Sequence, residues 1–395
     1  MTGGIACYKA VTLARLLTQA GAIVDVILTR SAREFVGAIT FEAVTGRPVA
    51  PGLLDAGHAL AHIRLAKEAA LVVIAPATAD LLARAAHGRA DDQLTAVLLA
   101  TRAPVLIAPA MNDGMWAHEL TLRNVRTLRD VGYSVLDPDT GALAFDEGAG
   151  PGRMPEPDAL MAHAGRLLES ARGLAGRHIV VTAGPTREAI DPVRYITNHS
   201  TGRMGVALAA AAWRRGARVT LIHGPLEVAL PIGSRCIAVS STADMRDEVA
   251  ASLPDADALI MAAAPADFRA ARVGTQKLKK GATPPVLELE HTDDILMSTR
   301  GCRKAGAVIM GFALETTDVE THAQSKLQRK GMDFIVANDA TEDGAGFGTD
   351  TNRVTILSAT DEREVVPLMA KSALADVLLD RIAKALDHSG SAPLP

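Results

Sequence analysis

Aromatic residues are scarce: seven Phe, three Tyr and two Trp, 3% of a 395-residue chain. The apolar content is instead mostly Ala, Val, Leu and Ile, which suits the packing of small side chains between helices and sheets. Cysteine is scarcer still. Cys7, Cys236 and Cys302 lie far apart and are odd in number, which excludes a disulfide framework and a cysteine metal site and fits a reducing cytoplasm. There is no basic excess, with 41 Lys and Arg against 45 Asp and Glu (net charge −4), so no nucleic-acid partner is expected. No signal peptide and no uncharged apolar run of membrane-span length is seen, so a soluble chain without a membrane partner is expected. Three fingerprints are also missing: a Walker A loop, a GxGxxG after a strand, and a GxSxG elbow. Their absence removes the commonest phosphoryl-transfer, dinucleotide and hydrolase readings.

What is present is alternation. The chain is long enough for two domains with sizeable cores. GGIACYK (Gly3–Lys9) is a glycine turn running into a helical pattern from Tyr8 to Gln19. A buried strand is expected at Ala22–Thr29. In a doubly wound sheet such a turn follows a first strand; none precedes it here, and we expect the true start upstream. Further strands are expected at Leu71–Ala75, Val105–Ala108 and Tyr133–Leu136, with a helix from about Leu81 and another from Asp158 to about Arg172. Asp137–Pro157, rich in Gly, Pro and acids, reads as a flexible flap or linker lead-in. A second alternation places strands at His178–Val181, Arg218–Ile222, Ala258–Ala262, Ala307–Gly311, Phe334–Ala337 and Arg353–Leu357. A last helix is expected from about Lys371 to Leu386, then a disordered tail, Asp387–Pro395. Strands separated by helices predict an α/β fold of two domains, 1–172 and 176–395, of similar size, each a mostly parallel sheet flanked by helices.

One stretch stands out: TAGPTREAIDPVRYITNHSTGRMG, Thr182 to Gly205, a long loop without structure of its own between a strand and a helix from about Gly205 to Arg214. Such loops are functional or disordered, and this one falls where open α/β sheets bind ligands. The other motifs carry two readings each. GGIACYK can cradle a phosphate or simply turn the chain. PATAD (Pro76–Asp80) and PAMN (Pro109–Asn112) follow strands at equivalent places, where Asn112 can hold a carboxylate or cap a helix. His58 and His62 have helical i, i+4 spacing, but nothing around them completes a metal signature. Asp267 in ADFRA (Ala266–Ala270) can bind a ribose or cap a helix. QKLKK (Gln276–Lys280), with Lys326 and Lys330, can neutralise a triphosphate or be a solvated face.

Together these motifs resemble the bifunctional coenzyme A biosynthesis family, phosphopantothenoylcysteine decarboxylase fused to phosphopantothenate–cysteine ligase. GGIACYK, APATADL, APAMN, GPGRM (Gly150–Met154), the Thr182–Gly205 block, ADFRA, KLKK and GFALE (Gly311–Glu315) carry the resemblance, in family order, over nearly the whole chain. It implies a flavodoxin-like or Rossmann-like flavoprotein half and a Rossmann-like ligase half. The ligase half is implied to activate 4′-phosphopantothenate with CTP and Mg²⁺ as an acyl-cytidylate, which cysteine then attacks. The resemblance makes Asn198 and Lys277 catalytic. It places Met261, Ala262, Ala263, Asp267, Lys277, Asp293, Asp294, Ile295, Leu296, Phe312, Lys326 and Lys330 at the nucleotide. The other half is implied to use FMN, which supplies the redox chemistry of decarboxylation. His62 and Asn112 match catalytic positions. Gly3, Gly4, Ile5, Thr29, Ser31, Phe35, Ala75 and Thr78 match FMN positions. No protein metal ligand is implied. A homo-oligomer is, trimeric through the flavin half and dimeric through the ligase half.

Three departures accompany the resemblance. LAFDEGAGPGRM (Leu143–Met154) has Phe145 where the family flap carries a proton-donating cysteine, with Asp146 and Glu147 beside it. Ala90-Asp91-Asp92 replaces Ala-Asn-Asp, adding a carboxylate near an expected flavin phosphate. The first strand is absent. The main alternative is an active ligase carrying a structural or partly competent flavin domain; the Asn198 and Lys277 surroundings argue against a flavin-fold scaffold, and the missing glycine fingerprint against a nicotinamide reductase.

Overall fold

The computed structural model describes residues 1–169, 173–279, 286–315, 319–339, 346, 348–360 and 362–389. The chain divides into two compact units, Met1–Glu169 and Ser170–Pro395.

The first unit is built on β1 (Val72–Ala77), β2 (Val105–Pro109) and β3 (Ser134–Val135), parallel and in that order. Every residue of β2 is buried, as an apolar run covered on both faces demands. Ile74, Leu81, Leu94, Leu98, Val125 and Leu128 form the core on one side of these strands. The expected strand at Ala22–Thr29 belongs to no ladder. Its backbone bonds are single: Val26 O accepts from Ala50 N (2.8 Å), and Met1 exchanges bonds with Ile27 O (2.9 Å) and Thr29 N (3.2 Å). Thr2 N in turn donates to Pro76 O (3.2 Å), so Met1–Thr2 lies between this segment and β1.

The flap is more ordered than its composition predicts. β4 (Asp139–Ala142) and β5 (Ala149–Arg153) form an antiparallel hairpin. Its root is fastened: Met111 N donates to Gly152 O (3.0 Å), and the buried Lys9 ammonium reaches Met154 O (2.8 Å) and Glu156 (2.7 Å). The helix that follows ends at Leu168, before the expected Arg172, and residues 170–172 lie outside the described ones.

Among its described residues the second unit holds twelve strands: β6 (His178–Ala183), β7 (Arg187–Ala189), β8 (Tyr195–Thr197), β9 (Arg218–His223), β10 (Arg235–Ala238), β11 (Ala258–Met261), β12 (Phe268–Ala270), β13 (Leu289–His291), β14 (Val308–Glu315), β15 (Phe334–Asp339), β16 (Thr351–Ser358) and β17 (Arg363–Ala370). Eight make one sheet in the order β10-β9-β6-β11-β14-β15-β16-β17, parallel as far as β15 and antiparallel after it. The two halves are therefore unequal, with three strands in the largest sheet of one and eight in that of the other. β10 and β17 escape the sequence reading for physical reasons. β10 is a four-residue edge strand. β17 contains Pro367, tolerable because an edge strand need not donate on its outer side. The long loop after β6 also holds structure of its own, the β7–β8 hairpin. The last helix runs from Lys371 to Ser389, so Asp387 and His388 are helical rather than tail; residues 390–395 lie outside the described ones.

Candidate functional site

In the second unit the site builds up at the carboxyl edge of the sheet, at the end of β6. The helix Arg203–Arg214 starts at Gly202, which is left-handed (φ 78°) and offers no side chain to cap the first turn. Its leading N–H groups are thus open to an anion. Gly205 lets this helix press on β6: a Cβ there would stand 2.5 Å from Ala183 Cβ and 2.8 Å from Thr182 O. Hydroxyls then stitch the loop after β6 to the loop after β11. Thr182 Oγ1 accepts from Ala263 N (3.1 Å), and Thr186 Oγ1 accepts from Ala266 N (2.9 Å). Asn198 closes the seam, its Nδ2 donating to Ala264 O (3.2 Å) and Pro265 O (3.0 Å).

The structure therefore brings Asn198 next to the Met261–Ala263 turn. Phe312 is near at hand, since Met261 pairs with Gly311 in register. Thr292 N donates to Asp267 O (3.0 Å), which draws in the following residues. Asp293 pairs with Arg246. Asp294 caps the turn Ile295–Ser298 and binds Lys330 Nζ (3.0 Å), while Ile295 and Leu296 are buried. Lys326 lies one turn before Lys330 on the helix Val319–Lys330.

Lys277 is held elsewhere. Gly274 N donates to Ile190 O (2.9 Å), Leu278 N donates to Asp191 (3.1 Å), and Arg194 donates to Leu278 O (2.8 Å). All three bonds are at the tip of the β7–β8 hairpin. Asn198 is at its base, four residues beyond Arg194, or roughly 13 Å along an extended strand. Lys280 falls outside the described residues.

Asp191 is the clasp of this tip. Its enclosed carboxylate also accepts from Val193 N (2.8 Å) and Arg194 N (2.9 Å). The Arg194 guanidinium, with these backbone donors, holds its carboxyl well below the usual carboxylate range despite the opposing effect of desolvation. A depressed folded pKa means the stabilisation is complete above the unfolded value, near 4, and is lost as pH falls toward the folded one. Hydrogen exchange at Leu278 is expected to stay slow from pH 7 to about 4. In Asp191→Asn it should be roughly tenfold faster throughout that range. Equal protection in the two proteins would show that the clasp contributes nothing.

A cleft of about 470 Å³ opens beside β6, at the ends of β9 and β10, lined among others by Arg187, His223, Leu226 and Ser240. The Arg187 guanidinium lies 4.6 Å over the Tyr195 ring. None of the expected nucleotide residues lines this cleft. The sequence reading missed His223 and Ser240. Their signal was position, His223 as the last residue of β9 and Ser240 two residues past β10, but β10 itself went unread.

In the first unit Gly3 is tightly packed, because a Cβ would come within 2.7 Å of the Ser31 backbone and side chain. Thr29 Oγ1 is 3.4 Å from Ser31 Oγ. Thr2 Oγ1 accepts from Thr78 N (3.0 Å) and donates to Pro76 O (2.8 Å). Gly3, Gly4, Thr29, Ser31, Ala75 and Thr78 thus converge. Ile5 and Phe35 are exposed. The helix Cys7–Gln19 begins here without a side-chain cap. Asn112 Oδ1 caps the helix Asp113–Ala117 by accepting from Gly114 N (2.9 Å), one of the two roles its sequence position allows. His58 precedes the helix Ala61–Glu68 rather than sharing it with His62, so the helical His pair does not form. His62 Nδ1 is buried without a partner. A glycine cradle, an uncapped helix start and an orphaned imidazole nitrogen together fit a flavin, whose phosphate the helix start would hold. The added carboxylate is neutralised, since Arg84 pairs with both Asp91 (3.1 Å) and Asp92 (2.8 Å).

Comparison with known proteins follows the two units. The model of the "Flavoprotein" family matches residues 1–168, and that of the "DNA/pantothenate metabolism flavoprotein C-terminal domain" matches residues 174–386. The coenzyme A biosynthesis bifunctional protein CoaBC of Mycolicibacterium smegmatis is 46% identical over 97% of this chain and 96% of its own. Its Mycobacterium tuberculosis H37Rv counterpart is 47% identical over 97% and 94%. That of Vibrio cholerae is 45% identical over 97% and 96%. A crystal structure of the C-terminal domain of CoaBC is 37% identical and covers 55% of this chain and 99% of its own, with a TM-score of 0.48. No described helix is long and apolar enough to cross a membrane.

Proposed function

From the premise that this chain belongs to the family of bifunctional coenzyme A biosynthesis proteins, we propose how its two units divide the chemistry. The protein is a bifunctional enzyme of coenzyme A biosynthesis, a phosphopantothenate–cysteine ligase and a phosphopantothenoylcysteine decarboxylase in one chain. The end-to-end similarity to CoaBC proteins carries this reading.

Residues 176–395 are the ligase domain. They activate the carboxylate of 4′-phosphopantothenate with CTP and Mg²⁺, release pyrophosphate, and pass the acyl group to the amine of cysteine. The Met261–Ala263 turn, Asp267, Phe312 and the segment Asp293–Leu296 wall the nucleotide. Lys326 and Lys330 offset its phosphate charge, with Lys277 reaching in from the hairpin tip. Asn198, fixed to the wall through its amide, orients the acyl group for attack.

Residues 1–172 are the decarboxylase domain. Gly3, Gly4, Ile5, Thr29, Ser31, Phe35, Ala75 and Thr78 hold FMN, which supplies two-electron redox chemistry when bound. His62 handles the substrate's proton and Asn112 grips its carboxylate. Copies of the chain assemble through both units, as trimers of the flavin unit and dimers of the ligase unit. Exposed apolar side chains support this: Ile39 and Leu60 in the first unit, Phe268 and Leu289 in the second. The enzyme works in the cytoplasm.

The test is turnover by the purified full chain. With 4′-phosphopantothenate, cysteine, Mg²⁺ and CTP, pyrophosphate, carbon dioxide and 4′-phosphopantetheine are expected, from a protein with a flavin spectrum. Equal turnover with ATP would overturn the nucleotide assignment. A colourless protein that releases no carbon dioxide would confine the activity to the ligase.

A further inference from the structure

Gln93 opens the helix Gln93–Ala100. It is 5% exposed, yet neither oxygen nor nitrogen of its carboxamide has a hydrogen-bond partner. Buried polar groups are rarely left so, and each such group calls for an explanation. His62 Nδ1 is in the same condition.

The topology sets the starts of their two helices side by side, with no hydrogen bond joining the two side chains. The helices Ala61–Glu68 and Gln93–Ala100 each lead within a few residues into β1 and β2, which are parallel with Val72 opposite Val105. Leu65 and Ala66 of one pack on Val97 of the other. Thr101 Oγ1, just past the second helix, donates to Ala66 O (3.2 Å). The helices therefore run side by side in one direction, and both begin at the sheet edge from which Thr78 and Asn112 also project. His62 is the second residue of one helix and Gln93 the first of the other.

We propose that Gln93 is a positioning residue for His62. In the loaded enzyme the Gln93 oxygen accepts the Nδ1–H of His62, which fixes the tautomer and leaves Nε2 unprotonated toward the substrate. The inference rests on the reading of His62 as the group that handles the substrate's proton. It adds a residue in which sequence alone offers no signal, a Gln at the first position of an apolar helix.

Gln93→Leu removes the acceptor and keeps an apolar side chain of similar size in place. Expected is a roughly tenfold loss in kcat for decarboxylation, as misorientation of a catalytic group produces. KM for phosphopantothenoylcysteine, flavin content and ligase turnover should stay within about twofold. Gln93→Glu, which restores an acceptor, should recover part of the rate. In ¹⁵N-histidine NMR the His62 signals should shift from the Nδ1–H form toward a mixture in Gln93→Leu. The double variant with His62→Asn should be no slower than His62→Asn alone. Unchanged kcat in Gln93→Leu, while His62→Asn is inactive, would overturn the role of Gln93 and leave that of His62 standing. An active His62→Asn would overturn the reading of His62 itself. A rate loss in Gln93→Leu that tracks loss of flavin would make Gln93 structural and sink the proposal.

Discussion

Asn198→Ala is expected to leave pyrophosphate release within about threefold of normal while ligation falls by roughly a hundredfold or more, the scale seen when one preorganised donor is removed from a reacting centre. The separation follows from where the side chain is held. Its Nδ2 spans Ala264 O and Pro265 O, so the amide is locked onto the loop after β11. Nucleotide activation depends on the phosphates and on cations drawn from other elements, and Asn198 contributes no charge to it. Passing the acyl group to an amine depends on holding a mixed anhydride in an attack geometry, and small errors there cost orders of magnitude. In a stopped assay the variant should release pyrophosphate and accumulate an acid-labile acyl-nucleotide. Undiminished production of phosphopantothenoylcysteine would take Asn198 out of the reaction. Equal losses in both steps would place it on the nucleotide instead.

Much of this site was readable in advance because local chemistry dictates it. Thr182, Gly184, Thr186 and Asn198 fall between an apolar strand and a helix, and the carboxyl edge of a parallel sheet is where such a loop meets its neighbour. The register Met261 opposite Thr182 then brings the loop after β11 to it. What the sequence concealed was long-range. Nothing in DPVR announces that Asp191 will be enclosed and bind Leu278 N, 87 residues away. For that reason Lys277, attractive as a neighbour of Asn198, is found at the far end of a hairpin. In the first unit the expected strand at Ala22–Thr29 has the right composition. A strand also requires a continuous ladder, and the backbone bonds of this segment to Met1 and Ala50 are single ones. Asp91 looked unfavourable near a phosphate only while Arg84, seven residues earlier on a helix, went uncounted.

Phe145→Cys is expected to raise the yield of 4′-phosphopantetheine per carbon dioxide released by about tenfold, at the low end of what a placed general acid contributes. The hairpin explains why one substitution suffices. Its root is fixed by Met111 N on Gly152 O and by Lys9 on Met154 O. No shape at the root depends on residue 145, which lies at the tip between β4 and β5, fully exposed. Asp146 beside it adopts φ +65°, so the turn is already tight and a smaller side chain at 145 does not disturb it. A thiol at 145 would supply the proton that the enethiolate left by decarboxylation takes up, the hydride being what reduced flavin would supply when bound; a phenyl ring has no proton to give. Phe145→Ser is the control, similar in size to cysteine but a far weaker acid, and it should leave the yield unchanged. If both variants raise it equally, the effect is relief of bulk rather than proton donation. If neither does, the donors are the adjacent carboxylates, and Asp146→Asn with Glu147→Gln should then abolish the reduced product while sparing carbon dioxide release.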